Sequence, residues 1–329
     1  MTVKVGIKHN IDKKLLQYYE SNFDILRTPD FDENTRLLKC SHGMKVVGAA
    51  HNKVCRFCGK NESEVSFRKI AHIFPESIGN NALASNYECD DCNQYFGNSI
   101  ENDYAKFFSL YHSIMQIKGK NGIPKSNFKV PCQKRDDNCA KNCVEITFGE
   151  KCPTIRTCEE VDEKYVNLSD NTLEISKPIG KYCPVAVFKA IVKMAISVMP
   201  FEELAIFKNT IKWLLEPQHE NFYESKPLLI RFQMIPGFNV TKYPHYILYK
   251  RKRTVWNLPY ILFNLTYACL SLFIEVPRDK KSESTTEFTK MPFPPIPFHT
   301  NLEGIWNLSD TAPTTNSITL AFDNFLLKP

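Results

Sequence analysis

Four cysteines in two C-x-x-C pairs bracket a histidine motif: Cys55-Arg56-Phe57-Cys58, then Ala71-His72-Ile73-Phe74-Pro75-Glu76, then Cys89-Asp90-Asp91-Cys92 followed directly by Asn93. Two such knuckles, about thirty residues apart, close one tetrahedral four-thiolate site, which favours zinc. Four thiolates leave no open position for water, so a zinc held there is structural. Redox pairs or free thiols are the competing reading of the cysteines. The stretch between the knuckles carries an imidazole, a carboxylate and a Gly79-Asn80 turn. An imidazole can take up a proton near neutral pH, although a lone histidine is more often structural. Together these residues point to a metal-stapled reaction site rather than a plain zinc finger.

The run from Cys55 to Gly97 resembles the zinc-knuckle branch of the HNH endonucleases. The residues that carry the resemblance are Cys55 and Cys58, His72-Ile73-Phe74-Pro75-Glu76, Gly79-Asn80, and Cys89-x-x-Cys92-Asn93 followed by Phe96-Gly97. With its continuation through residues 100–103 and 119–124, the likeness covers under a quarter of the chain. It implies a ββα-metal unit, in which a β-hairpin carries the histidine and a following helix carries the third motif residue. It also implies roles. His72 is the general base that takes a proton from the attacking water, and Asn93 ligates a catalytic Mg²⁺ or Mn²⁺ through its amide oxygen. That cation would stabilise the leaving 3′-oxygen, while Zn²⁺ on Cys55, Cys58, Cys89 and Cys92 remains structural.

One position departs from the pattern. Many HNH enzymes place Asp or Glu immediately before the histidine, to help hold the catalytic metal, and this chain has Ala71. Glu76 is the nearest replacement in sequence, since Asp90 and Asp91 sit between zinc ligands. Three bland readings stand beside these roles. Glu76 after Pro75 suits a helix start, Asn93 suits a helix cap, and Asn80 shapes the turn after Gly79. Ala71 also supports a rival function: a catalytically inactive, zinc-stabilised module for nucleic-acid binding or assembly.

The elements that must position these residues follow from local pattern. A polar lead-in, 1–51, holds a short helix near 13–22. The zinc module with its following helix occupies 52–125. Within it, residues 67–74 make a hairpin arm and Cys89 to Cys92 lead a short helix. Gly97-Asn98 breaks the chain, Ser99 caps the next helix, and that helix places Ile100, Tyr104, Phe107, Phe108, Tyr111 and Met115 near one face. The aromatic face reads as intramolecular core in preference to an oligomer interface. Residues 126–329 form a mixed α+β domain. It opens with short strands at 128–130, 144–148 and 172–175. A helix from Pro184 to a stop at Pro200 comes next, then a second amphipathic stretch through Leu204, Phe207, Ile211 and Leu214. Strands return at 228–235, 246–249 and 260–276. Residues 277–300 read as a surface linker, charged and then proline-rich. The fold class expected is therefore α+β: a small zinc-stapled ββα-metal module followed by a larger mixed domain for substrate, partner or signal recognition.

Composition limits the partners. A hydrophobic content of 43% and a charged content of 24% are those of a globular chain, and a net charge of +6 permits a polyanionic partner without demanding one. The first ten residues show no signal-peptide pattern, so the CxxC pairs are read as metal ligands in a reducing cytoplasm. Residues 254–274 lack charge and follow Lys250-Arg251-Lys252-Arg253, a run that reads as a solvated turn or a phosphate contact. Alternation from Ile261 to Cys269 identifies a half-buried strand there, not a membrane span. A second cysteine group, Cys132, Cys139, Cys143, Cys152 and Cys158, fits no standard knuckle. The expected partner is nucleic acid, most simply DNA. Oligomeric state stays open: many HNH units nick one strand, so a double-strand cut could use a homodimer, and an activating partner is a further option. By resemblance, standalone proteins of this branch look like bacterial defence or mobile-element effectors.

Overall fold

A computed structural model describes residues 13–28, 45–48, 51–80, 83–119, 122–124, 126–131, 142–148, 154–157, 166–169, 172–178, 180–234, 241–255, 257–278, 286–295, 303–315 and 317–322. Its elements run in the order α1 (Lys13–Asn22), β1 (Phe23–Arg27), β2 (Lys45–Val47), β3 (Ala71–His72), β4 (Leu83–Ser85), α2 (Asp90–Asn98) and α3 (Ile100–Ile114). Short strands β5 (Ser126–Pro131), β6 (Asn142–Phe148), β7 (Thr154–Thr157), β8 (Val166–Ser169) and β9 (Thr172–Pro178) come next. They precede α4 (Pro184–Val198) and α5 (Lys208–Leu215). The chain then returns to strands β10 (Leu229–Met234), β11 (Thr241–Arg251), β12 (Ile261–Ala268) and β13 (Leu270–Glu275), then α6 (Thr286–Lys290), β14 (Glu303–Asn307) and β15 (Ser317–Phe322). The expected α+β class is what this architecture shows.

The largest layer is an antiparallel sheet ordered β1-β11-β12-β13-β10-β14. Its centre is the β12–β13 hairpin, closed by a two-residue turn in which Ala268 takes φ 47°. The predicted single run over 260–276 is thus a hairpin. Its alternation was expected to leave one face wet, yet β12 is buried at every position. Ile261, Phe263, Leu265 and Tyr267 face the main core, while Leu262 faces a second cluster with Phe23, Tyr249, Phe288, Met291 and Phe293. The polar side chains on that second face satisfy one another. Asn264 donates to Ser271 Oγ at 2.9 Å and to the Leu272 carbonyl at 3.0 Å, and Thr266 Oγ1 lies 2.9 Å from Ser271 Oγ.

The covering layer corrects the linker reading of 277–300. Within its described part, α6 and the segment after it bury Phe288, Met291 and Phe293. Arg231 binds them by donating to the carbonyls of Phe288 (3.0 Å) and Met291 (2.6 Å). Of the basic run, Lys250 and Arg251 end β11 and are occupied internally, while Arg253 lies exposed in the turn that follows. Lys250 pairs with Glu203, and Arg251 donates to the Leu258 carbonyl at 2.7 Å.

Helix α4 runs through the main core, and every one of its side chains is buried. Pro184 starts it and Pro200 follows its end, as the sequence pattern requires. The aromatic face of α3 is intramolecular core. Phe107 and Phe108 meet Trp306 of β14 at 5.3 and 5.7 Å between ring centres. A single buried cluster extends from Cys55 and Phe57 through α3 and α4 to Leu308, so packing is continuous across the expected boundary at 125/126. Cys132, Cys139, Cys152 and Cys158 lie outside the described residues.

Candidate metal centre and reaction site

The metal centre is built from two turns and a helix start. In the first turn the Cys55 amide donates to the Lys60 carbonyl at 2.8 Å, and Gly59 sits at φ 74°, a conformation that favours glycine. Phe57 packs edge-on against Phe96 of α2, 4.7 Å between centres, and this fixes the first knuckle to the helix that carries the second. Cys89 stands at the N-cap of α2 and Cys92 in its first turn. The positive end of a helix dipole there favours thiolate.

The four sulfurs all lie within 4.8 Å of one another. Cys58 Sγ and Cys89 Sγ are 3.8 Å apart. A tetrahedron with metal–sulfur bonds of about 2.3 Å has edges of about 3.8 Å, so the donor set and its spacing both fit zinc. The electrostatics agree. The hydrogen bond from Cys92 and the surrounding backbone amides hold the Cys55 thiol well below its usual range. Burial pushes the Cys89 thiol up, and the Cys92 thiol is raised by its bond to Cys55 and by burial. As four thiolates this close, the group would need a cation among them. A dication resolves that conflict.

His72 ends strand β3, which pairs antiparallel with β4 through Ala71–Ser85 and His72–Ala84. The arm is shorter than the expected 67–74. Residues before it are held instead by Asp90, whose carboxylate accepts the amides of Arg68 (3.1 Å) and Lys69 (2.8 Å). Asp90 thereby ties the approach to His72 onto the first residue of α2. Strand alternation turns Ala71 into the core, 1% exposed, and leaves the His72 side chain 20% exposed.

After His72 the chain turns at Pro75 into a 3₁₀ turn, Glu76–Ile78, that ends in the left-handed Gly79 at φ 80°. The turn brings Glu76 Oε1 to 4.0 Å from His72 Nε2. Asn80 is buried and ties this loop together: its amide donates to the carbonyls of Phe74 (2.8 Å) and Leu83 (2.9 Å), and its oxygen accepts the Leu83 amide at 3.0 Å. Asn93 lies in the first turn of α2, half-buried, and its side-chain amide has no hydrogen bond among the described residues. The structure therefore brings the four cysteines together and brings His72 to Glu76. Among the described residues, no hydrogen bond joins Asn93 to His72.

The helix boundary after the knuckle differs from expectation. Helix α2 continues through Gly97 to Asn98, and the break falls at Ser99. Ser99 does not cap α3 with its side chain, because its hydroxyl donates back to the Tyr95 carbonyl at 2.6 Å.

Four further residues hold the site, and none of them was given a part in it by the sequence. Arg56, inside the first knuckle, donates to the carbonyls of Ile196 and Met199 (2.8 Å to the latter) and so closes the C-terminus of α4. Glu88, just before Cys89, and Glu101, in the first turn of α3, both reach Lys193 of α4. Burial works against the Lys193 charge, but Glu101 and Glu88 outweigh it and its pKa is raised. A signal existed for Lys193: it stands with Lys189 in an otherwise apolar helix, where a cation needs a buried partner.

Residues 55–109 match the family model described as HNH endonuclease. All four cysteines and His72 fall within that match. No curated protein and no solved structure matches the chain. Among the described residues, no helix is long and apolar enough to cross a membrane.

Proposed function

We propose that the chain is a metal-dependent HNH endonuclease that hydrolyses phosphodiester bonds, with DNA as substrate. One observation carries the reading. Inside the segment that matches the HNH endonuclease family, a partly open imidazole stands 4.0 Å from a carboxylate on a hairpin braced against a four-cysteine cluster. A general base at the surface and a hard oxygen donor beside it suit attack of water on a phosphodiester.

His72 Nε2 takes the proton of the attacking water as its oxygen bonds to phosphorus and the P–O3′ bond breaks. Glu76 and Asn93 offer a carboxylate and an amide oxygen, donors suited to Mg²⁺ or Mn²⁺. Such a cation supplies positive charge to the scissile phosphate and the leaving 3′-oxygen. Zinc on Cys55, Cys58, Cys89 and Cys92 braces the hairpin against α2. Residues 126–329 would direct or gate the cut, as in the bacterial defence and mobile-element effectors that the module resembles.

Ala71 favours a second reading, a zinc-stabilised nucleic-acid-binding or assembly module that does not cut. Burial of position 71 answers it in part, because a carboxylate there would point into the core while Glu76 already faces the imidazole. Cleavage of supercoiled plasmid by the full chain, beside His72→Ala, separates the two readings.

A further inference from the structure

Helix α4 reaches the histidine hairpin through one side chain. Lys193 Nζ lies 2.9 Å from Glu101 Oε1 and 3.1 Å from Glu88 Oε2, and it donates to the carbonyl oxygen of His72 at 3.4 Å. The ring of Phe96 lies 5.5 Å from the ammonium. Lys193 is fully buried, and the Glu88 side chain is 1% exposed. Three separate segments of the site therefore converge on one cation from outside the family-matched region: the strand that ends in His72, the residue before the zinc ligand Cys89, and the first turn of α3.

Stability alone does not account for such a group. An apolar side chain of similar volume would pack in a helix whose every other position is buried, and replacing a buried ion pair by apolar residues is often neutral or stabilising. An apolar residue could not hold a backbone carbonyl and two carboxylates at fixed separations. We propose that Lys193 is a positioning residue for His72. It locks the β3 backbone to the zinc site and to α3, so that the imidazole meets the scissile phosphate in one geometry. The inference rests on the nuclease reading for its catalytic consequence, but not for its structural one. It also makes α4 the route by which the rest of the chain can reach the reaction site.

The test uses the full chain with Lys193→Met, and with Lys193→Met combined with Glu88→Gln so that no unpaired carboxylate is left buried. Three quantities are read: zinc per chain, amide exchange of residues 71–73, and kcat and KM on supercoiled plasmid with Mn²⁺. The Ile73 amide, which donates to the Leu83 carbonyl at 3.3 Å, reports on the hairpin directly. In the double variant zinc should stay bound, and exchange at Ile73 should accelerate by about tenfold or more while α4 stays protected. KM should hold within about twofold and kcat should fall by about a hundredfold, the scale of a small misplacement of a catalytic group. Unchanged exchange and unchanged kcat would overturn the proposal. If the wild-type chain cuts nothing, the nuclease reading alone falls, and the exchange result still decides whether Lys193 holds the hairpin.

Discussion

His72 Nε2 and Glu76 Oε1 stand 4.0 Å apart, set by a single turn at Pro75. That separation is too long for a direct hydrogen bond, so both groups stay available to a third partner. A carboxylate four residues after the histidine thus takes the place beside the imidazole that Ala71, buried on the other face of the strand, cannot fill.

Glu76→Gln and Asn93→Ala should each raise the Mn²⁺ concentration needed for half-maximal cleavage by about 10- to 100-fold, the usual range for weakened metal ligation. Zinc content should not change. A metal titration of plasmid nicking checks this, and an unaltered half-saturation point would remove that residue from the ligand set.

Cys58→Ser should abolish stoichiometric zinc and the cooperative melting of the module, because the hairpin, the first knuckle and α2 meet at the metal. Metal analysis and calorimetry read the two effects. Cys183→Ala serves as control, since Cys183 is a free thiol outside the cluster. Full zinc in Cys58→Ser would contradict the four-sulfur site.

Asn80→Asp keeps the shape of the side chain but removes both of its donors, leaving the Phe74 and Leu83 carbonyls without them. A loss of about 2–3 kcal/mol is expected in urea unfolding, the cost of a buried amide network left unmade. A change below about 0.5 kcal/mol would show that the loop finds other partners.

The four-cysteine cluster was legible because metal geometry is written into C-x-x-C spacing, and α4 was legible from periodicity and flanking prolines. What the sequence concealed was long-range. The alternation of β12 implied one wet face, yet Leu262 on that face packs with Phe288, Met291 and Phe293 from far along the chain. Ser99 carried a cap signature, but its hydroxyl prefers the carbonyl of the preceding helix. Lys193 stands in an apolar helix and so signals a buried partner, but nothing local says that the partner is the hairpin or that Arg56 closes α4. Tertiary partners decide such side chains, and one sequence does not name them.

A buried histidine also sets acid sensitivity. Burial lowers the His112 pKa to about 3, so the imidazole stays neutral beside Tyr267, whose hydroxyl lies 3.2 Å from Nε2 and is itself bonded by Tyr104 at 2.9 Å. The folded pKa lies below the unfolded value, so the unfolded chain gains the proton first. Stability from this group is intact above about pH 6.5 and drains away as pH falls toward 3, at up to about 1.4 kcal/mol per pH unit. His112→Gln should lose less stability than wild type between pH 7 and pH 5 in urea titrations. Equal losses would place the acid-sensitive group elsewhere.

The most direct measurement is cleavage of supercoiled plasmid by the purified full chain with Mg²⁺ or Mn²⁺, wild type beside His72→Ala, with zinc measured in both. The expected result is metal-dependent nicking by wild type and a loss of at least about a hundredfold in the variant at equal zinc, as removal of a general base requires. Equal cleavage by both proteins would contradict His72 as the base. No cleavage by either, with zinc and DNA binding intact, would favour the binding module over the nuclease.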